Sequence, residues 1–175
     1  MDEDLARRCT RKNLTRCIEK YRNKGIVVDT NLLLVYLVGL YSPDQISEFK
    51  RTKAYTIDEF HLLRAVLSHF RLLVTTPNIL TEVSNLGSQL PRSHIKGYFQ
   101  EFRQQLQLLS ENYVPASSVC ACPYFEQYGL TDSVIAVLSQ NQYLVLTADA
   151  RLAYLLEDLG VDVLNFNHIR YLVWP

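Results

Sequence analysis

The sequence predicts one α/β domain: three layers, α/β/α, around a central parallel sheet of four to five strands. Two observations carry this. Short runs that are apolar on both faces, "GIVV" (25–28), "RLLVT" (71–75), "YLVLT" (143–147) and "VDVLNF" (161–166), read as strands buried from both sides. The segments between them carry apolar residues at helical spacing, and strands alternating with helices make parallel crossover units. A length of 175 residues, 48% hydrophobic and 21% charged, suits a single globular domain with a sizeable core.

Taken in order, residues 1–24 read as a basic helix or arm, with eight Lys/Arg against four Asp/Glu in a chain whose formal net charge is zero. That local excess hints at nucleic acid or an acidic partner, and equally suits a solvated helix or a frayed tail. After the first strand, "TNLLLVYLVGLY" (30–41) reads as a buried helix with Thr30 or Asn31 near its cap. "SPDQISEFKRTK" (42–53) opens with a Ser-Pro helix-start signal. "TIDEFHLLRAVLSHF" (56–70) puts Phe60, Leu63, Val66, Leu67 and Phe70 on one helical face. "TPNILTEVSNLGSQL" (76–90) is a helix after the second strand, with Ile79, Leu80, Val83 and Leu86 as its stripe. Residues 94–112 read as a longer amphipathic helix, and 113–130, with two prolines and no clean period, as a loop. "TDSVIAVLSQ" (131–140) is a helix with Thr131 or Asp132 in its first turn. "DARLAYLLEDLG" (149–160) is another, stopped by glycine. No repeat, low-complexity tract or linker interrupts the chain, so 25–175 reads as one domain following the arm.

The four cysteines, Cys9, Cys17, Cys120 and Cys122, make no zinc pattern. The charged N-terminus does not look like a signal peptide, and no apolar run approaches the ~20 residues that span a bilayer. These features point to reduced thiols, a cytoplasmic protein and no membrane partner.

In a parallel sheet, ligands sit outside the carboxyl ends of the strands, where the strand order switches. Four acids are placed for that edge. Asp29 ends the first strand, and Asp149 follows the third. Asp132 opens the helix that leads into the third strand. Glu82 lies one to two turns into the helix after the second strand, with a side chain long enough to reach back. Asp132 and Asp149 also suit plain helix-start roles, and Glu82 suits an exposed helical position. Asp29 is harder to explain that way, because its neighbours on both sides are apolar and an isolated buried carboxylate is costly. Clustered carboxylates repel unless a cation neutralises them. An all-oxygen set suits Mg²⁺ or Mn²⁺, one ion or two, which activate water and bind phosphate oxygens. His61, His69, His94 and His168 fall elsewhere, so no zinc site is expected.

"VVDTNLLL", "TPNILTEV", "LTDSVIAVLS" and "VLTADARLAYLL" resemble the four acidic motifs of the PIN-domain nucleases, over roughly residues 25–166. The small VapC-type toxin ribonucleases are the best-known members. The resemblance implies an endoribonuclease in which Asp29, Glu82, Asp132 and Asp149 hold the metal and catalyse. Asn31 and Thr147 would orient the acids or a water. It also implies an RNA substrate, and extends to an antitoxin partner and a homodimer. Two features depart from the small toxins: the N-terminal arm, and an insertion at about 42–70 that could clamp the groove or bind a partner. No helix-hairpin-helix element is evident, which favours RNA over branched DNA. A non-catalytic scaffold and a DNA-directed nuclease are the competing readings.

For substrate contact, "PRSHIKGYFQEFR" (91–103) interleaves Arg92, His94, Lys96 and Arg103 with Tyr98, Phe99 and Phe102. This is a phosphate-and-stacking pattern that an ordinary amphipathic helix would also produce. Tyr124, Phe125 and Tyr128 could stack a base or pack the loop.

Overall fold

In the computed structural model, which describes residues 3–172, the arm is helix α1 (Glu3–Tyr21). Its C-terminal end docks on the domain: Cys17 and Tyr21 are buried, and Lys20 Nζ and Tyr21 Oη both donate to Asp162, at 2.5 and 2.8 Å. Met1 and Asp2 and the side chain of Cys9 lie outside what is described. Cys17, Cys120 and Cys122 are free thiols.

Strand β1 (Ile26–Val28) leads into α2 (Thr30–Tyr41), α3 (Gln45–Glu48) and α4 (Ile57–Leu67). β2 (Leu73–Thr75) is followed by α5 (Pro77–Gly87) and α6 (Arg92–Leu106), then β3 (Ser110–Glu111) and α7 (Ala116–Val119). α8 (Phe125–Ser139) precedes β4 (Leu144–Thr147), α9 (Ala150–Asp158), β5 (Val163–Asn165), α10 (Phe166–Ile169) and a closing 3₁₀ turn at Arg170–Leu172. The strands form one parallel sheet in the order β3-β2-β1-β4-β5, with Val27 opposite both Val74 and Val145. Every residue of β1 and β4 is buried, so helices cover both faces of the sheet, as a three-layer α/β/α domain requires. Among the described residues no helix is long and apolar enough to cross a membrane.

α2 is apolar nearly all round and is enclosed by α4, α5 and α6. The 42–70 segment is part of this core. Ile46, Phe49, Phe60, Leu63, Val66 and Leu67 are all buried. A capping box starts α4: Thr56 Oγ1 takes the Glu59 N–H while Glu59 Oε2 takes the Thr56 N–H.

Three sequence expectations need correction. The helix read over 94–112 runs from Arg92 to Leu106, and Ser110–Glu111 is instead an edge strand beside β2. Two polar residues carry no period, so only the neighbouring strand selects that conformation. The stretch read as a loop, 113–130, contains α7 and the first turn of α8. α8 is kinked at Gly129, whose φ of +76° favours glycine. The cap of α2 is Asp29, not Thr30 or Asn31.

Candidate active site

The strand order switches between β1 and β4. The chain leaves β1 towards β2 on one side, and leaves β4 towards β5 on the other, which opens a crevice at their carboxyl ends. A cleft of about 140 Å³ lies there, and its lining includes Asp29, Asn31, Glu82, Asp132 and Asp149. The fold thus brings all four acids, two from just past the ends of β1 and β4 and two from α5 and α8, to one place.

Asp29 is both cap and cleft residue. Its backbone N–H still pairs with Leu146 across the sheet. Oδ1 accepts the Leu32 N–H at 2.8 Å, and Oδ2 accepts the Thr147 hydroxyl and the Ala148 N–H. Burial pushes this carboxyl above the ordinary range, against the pull of those three donors, and the charge of Asp149 adds to the rise. Thr147, fully buried, also accepts the Asp149 N–H at 2.9 Å, so one hydroxyl ties two of the acids together. Asp149 caps α9 through Oδ1, at 2.7 Å from Arg151 N and 3.3 Å from Leu152 N.

Glu82 is clamped. Thr30 donates to Oε2 at 2.8 Å and Thr131 to Oε1 at 2.5 Å. Both threonines lie inside the acidic motifs, beside Asp29 and Asp132 in sequence. Asp132 accepts no hydrogen bond from a described residue. Burial raises its carboxyl to about 6, and the negative charges of Asp149, Asp29 and Glu82 add to the rise. Arg151 opposes it. The three acids that raise Asp132 line the same cleft with it.

The donor set suits a hard divalent cation in kind: four carboxylates and an amide, with no histidine, cysteine or basic side chain in the lining. In spacing, no three acidic, histidine or cysteine side chains among the described residues stand close enough to share one ion as placed. Each oxygen of a carboxylate has two acceptor sites. Asp132 therefore keeps both oxygens open, Asp149 keeps Oδ2, and Glu82 and Asp29 Oδ1 retain capacity.

The site has a support that no motif signalled. Asn167 Nδ2 donates to the Ala148 carbonyl at 2.7 Å, which fixes the turn whose N–H holds Asp29. Arg170 reaches Asn167 Oδ1 at 3.4 Å, the Ala54 carbonyl at 3.1 Å, and buried Glu59 at 2.5 Å. A chain of polar contacts thus runs from α4 in the 42–70 segment to the cleft.

The proposed substrate contacts are less well placed. Arg92, Lys96 and Arg103 are exposed on α6 but line neither this cleft nor the groove beside it. Tyr98 and Phe102 are core residues and cannot stack a base, and His94 bonds the Tyr41 hydroxyl at 3.0 Å. Of Tyr124, Phe125 and Tyr128, Tyr128 lines the neighbouring groove, from within α8. No protein-family model matches this chain, and no curated protein matches it.

Proposed function

We propose that the protein is a divalent-cation-dependent endoribonuclease that hydrolyses phosphodiester bonds in RNA. One observation supports it above the others: four carboxylates from four separate elements line a single cleft at the switch point of a parallel sheet, with no basic side chain in the lining. Asp29, Glu82, Asp132 and Asp149 would hold Mg²⁺ or Mn²⁺, one ion or two, which lowers the pKa of water and offsets phosphate charge.

The chain's own residues prepare the site. Thr147 and the Ala148 N–H hold Asp29 in one orientation, and Thr30 and Thr131 hold Glu82. Preset ligands lose little freedom when the substrate arrives. Asp132 accepts no hydrogen bond from a described residue, so both its oxygens stay open to a cation or to a water beside the substrate.

Purified wild type, Asp29→Asn and Asp132→Asn, incubated with varied single-stranded and hairpin RNAs and Mn²⁺ or Mg²⁺, test this. Metal-dependent cleavage by wild type alone is expected. No cleavage of any RNA, or equal cleavage by both variants, refutes it. Matched DNA strands cut faster than RNA would reassign the substrate.

A further inference from the structure

Beside the acidic cleft lies a wider groove of about 640 Å³, with Glu82 and Asp132 on the shared edge. One wall is the start of α5, with Asn78 and Thr81. The other is the kink in α8, from Tyr128 to Thr131. Apart from the shared acids this lining is uncharged. A phosphate held there would meet two carboxylates and no cation. A nucleobase is neutral and planar, with donors and acceptors along its edge, and suits such a wall.

The surfaces a base needs are present. Leu130 leaves 37% of its area in solvent at the kink. The Tyr128 ring is half-buried and backed by the Arg151 guanidinium 5.5 Å from its centre, itself tied to the Gln127 carbonyl at 3.0 Å. Such a braced aromatic ring is a preset stacking platform. A Cβ added to Gly129 would meet nothing within 4 Å, so glycine serves the turn of the backbone and not a shortage of space. The Asn78 amide and Thr81 hydroxyl on the α5 wall offer donors and acceptors to a base edge.

We infer that this groove is a nucleobase subsite, which takes the base adjoining the phosphodiester that reaches the carboxylates. Tyr128 and Leu130 stack the base, and Asn78 and Thr81 read its edge. The ligand class is single-stranded RNA, because a base in a duplex has both faces stacked and its edge paired. The inference rests on the nuclease reading for what occupies the adjoining cleft.

Binding measured without turnover tests it. Asp149→Asn protein is titrated with fluorescent single-stranded RNAs carrying one abasic residue at each position in turn. One position is expected to weaken binding about tenfold. That penalty should vanish in Asp149→Asn proteins that also carry Tyr128→Ala or Asn78→Ala, which have already lost the base contact. In amide NMR spectra, nucleoside monophosphates should shift residues 78 and 129–131, and ribose 5-phosphate should not. RNA that binds with no abasic-sensitive position overturns the subsite and leaves the nuclease reading intact. So do an undiminished penalty in both variants and an equal response to ribose 5-phosphate. A wild type that cuts no RNA defeats the nuclease reading, while the nucleotide shifts still decide what the groove holds.

Discussion

Replacing Asp132 with asparagine should make the metal-free protein more stable. The Asp132 carboxyl titrates at about 6, against an ordinary value of 3.8. At about 1.4 kcal/mol per factor of ten in proton affinity, that rise is worth ~3 kcal/mol for a fully buried group. Asp132 is only partly buried, and screening by solvent brings the figure to ~1–2 kcal/mol. The sign follows from proton counting. Between the two values the folded state binds more proton than the unfolded chain, so stability falls as pH rises through that window. Above about pH 7 the folded protein bears the full cost of an ionised Asp132, which is partly buried and stands beside three acids. Below about pH 4 it bears none. Asparagine keeps the shape and removes the charge, and no hydrogen bond from a described residue is lost with it. Thermal melts in chelator near pH 8 should therefore place Asp132→Asn some 2–8 °C above wild type, and the gap should close near pH 4. Adding Mn²⁺ should raise the wild-type melt, by about 2.7 kcal/mol at a hundredfold excess over its dissociation constant, and leave the variant nearly unmoved. A variant no more stable than wild type at pH 8, or a gap of the same size at pH 4, would refute the claim that Asp132 is held partly buried among the other three acids.

Other perturbations test the supports. Thr147→Val removes the hydroxyl that holds Asp29 and accepts the Asp149 N–H. It should lower Mn²⁺ affinity in calorimetry roughly 10–100-fold, as loss of an outer partner of a metal ligand does, while Thr147→Ser keeps it. Arg170→Leu leaves Glu59 buried without its charge partner and should cost about 3–5 kcal/mol in urea unfolding, where a surface ion pair would cost under 1 kcal/mol. Gly39→Ala would put a Cβ 2.3 Å from the Phe60 ring. If the 42–70 segment belongs to the core, denaturant melts should show a loss of about 1–3 kcal/mol.

Much of the fold was readable because its signals are local. The strands β1, β2, β4 and β5 announce themselves as short apolar runs. α4, α5 and α9 do so by period and by their Thr56, Thr76 and Asp149 starts. β3 was not readable, since Ser110 and Glu111 are extended only because Val74 and Thr75 lie beside them. The kink at Gly129 split one helix into what looked like a loop and a helix. On α6 the mixture of basic and aromatic residues looked like a nucleic-acid surface. Packing put Tyr98 and Phe102 into the core and left the basic groups outside.

At the site, which residues stand at strand ends and helix starts is set by neighbours a few positions away, and is legible from the chain alone. Asp29, Asp132 and Asp149 are legible on those terms, and Glu82 one step less so. Which of these places meet depends on how the strands pair. The sheet order set β4 against β1, joining Thr147 to Asp29 across 118 positions. It left Arg170 to reach Glu59 across 111. Local propensity carries no information over such distances. Strand pairing and burial do, and they turned Asp29 from a choice between cap and site into a carboxylate that serves both, one oxygen holding α2 and the other locked to the end of β4.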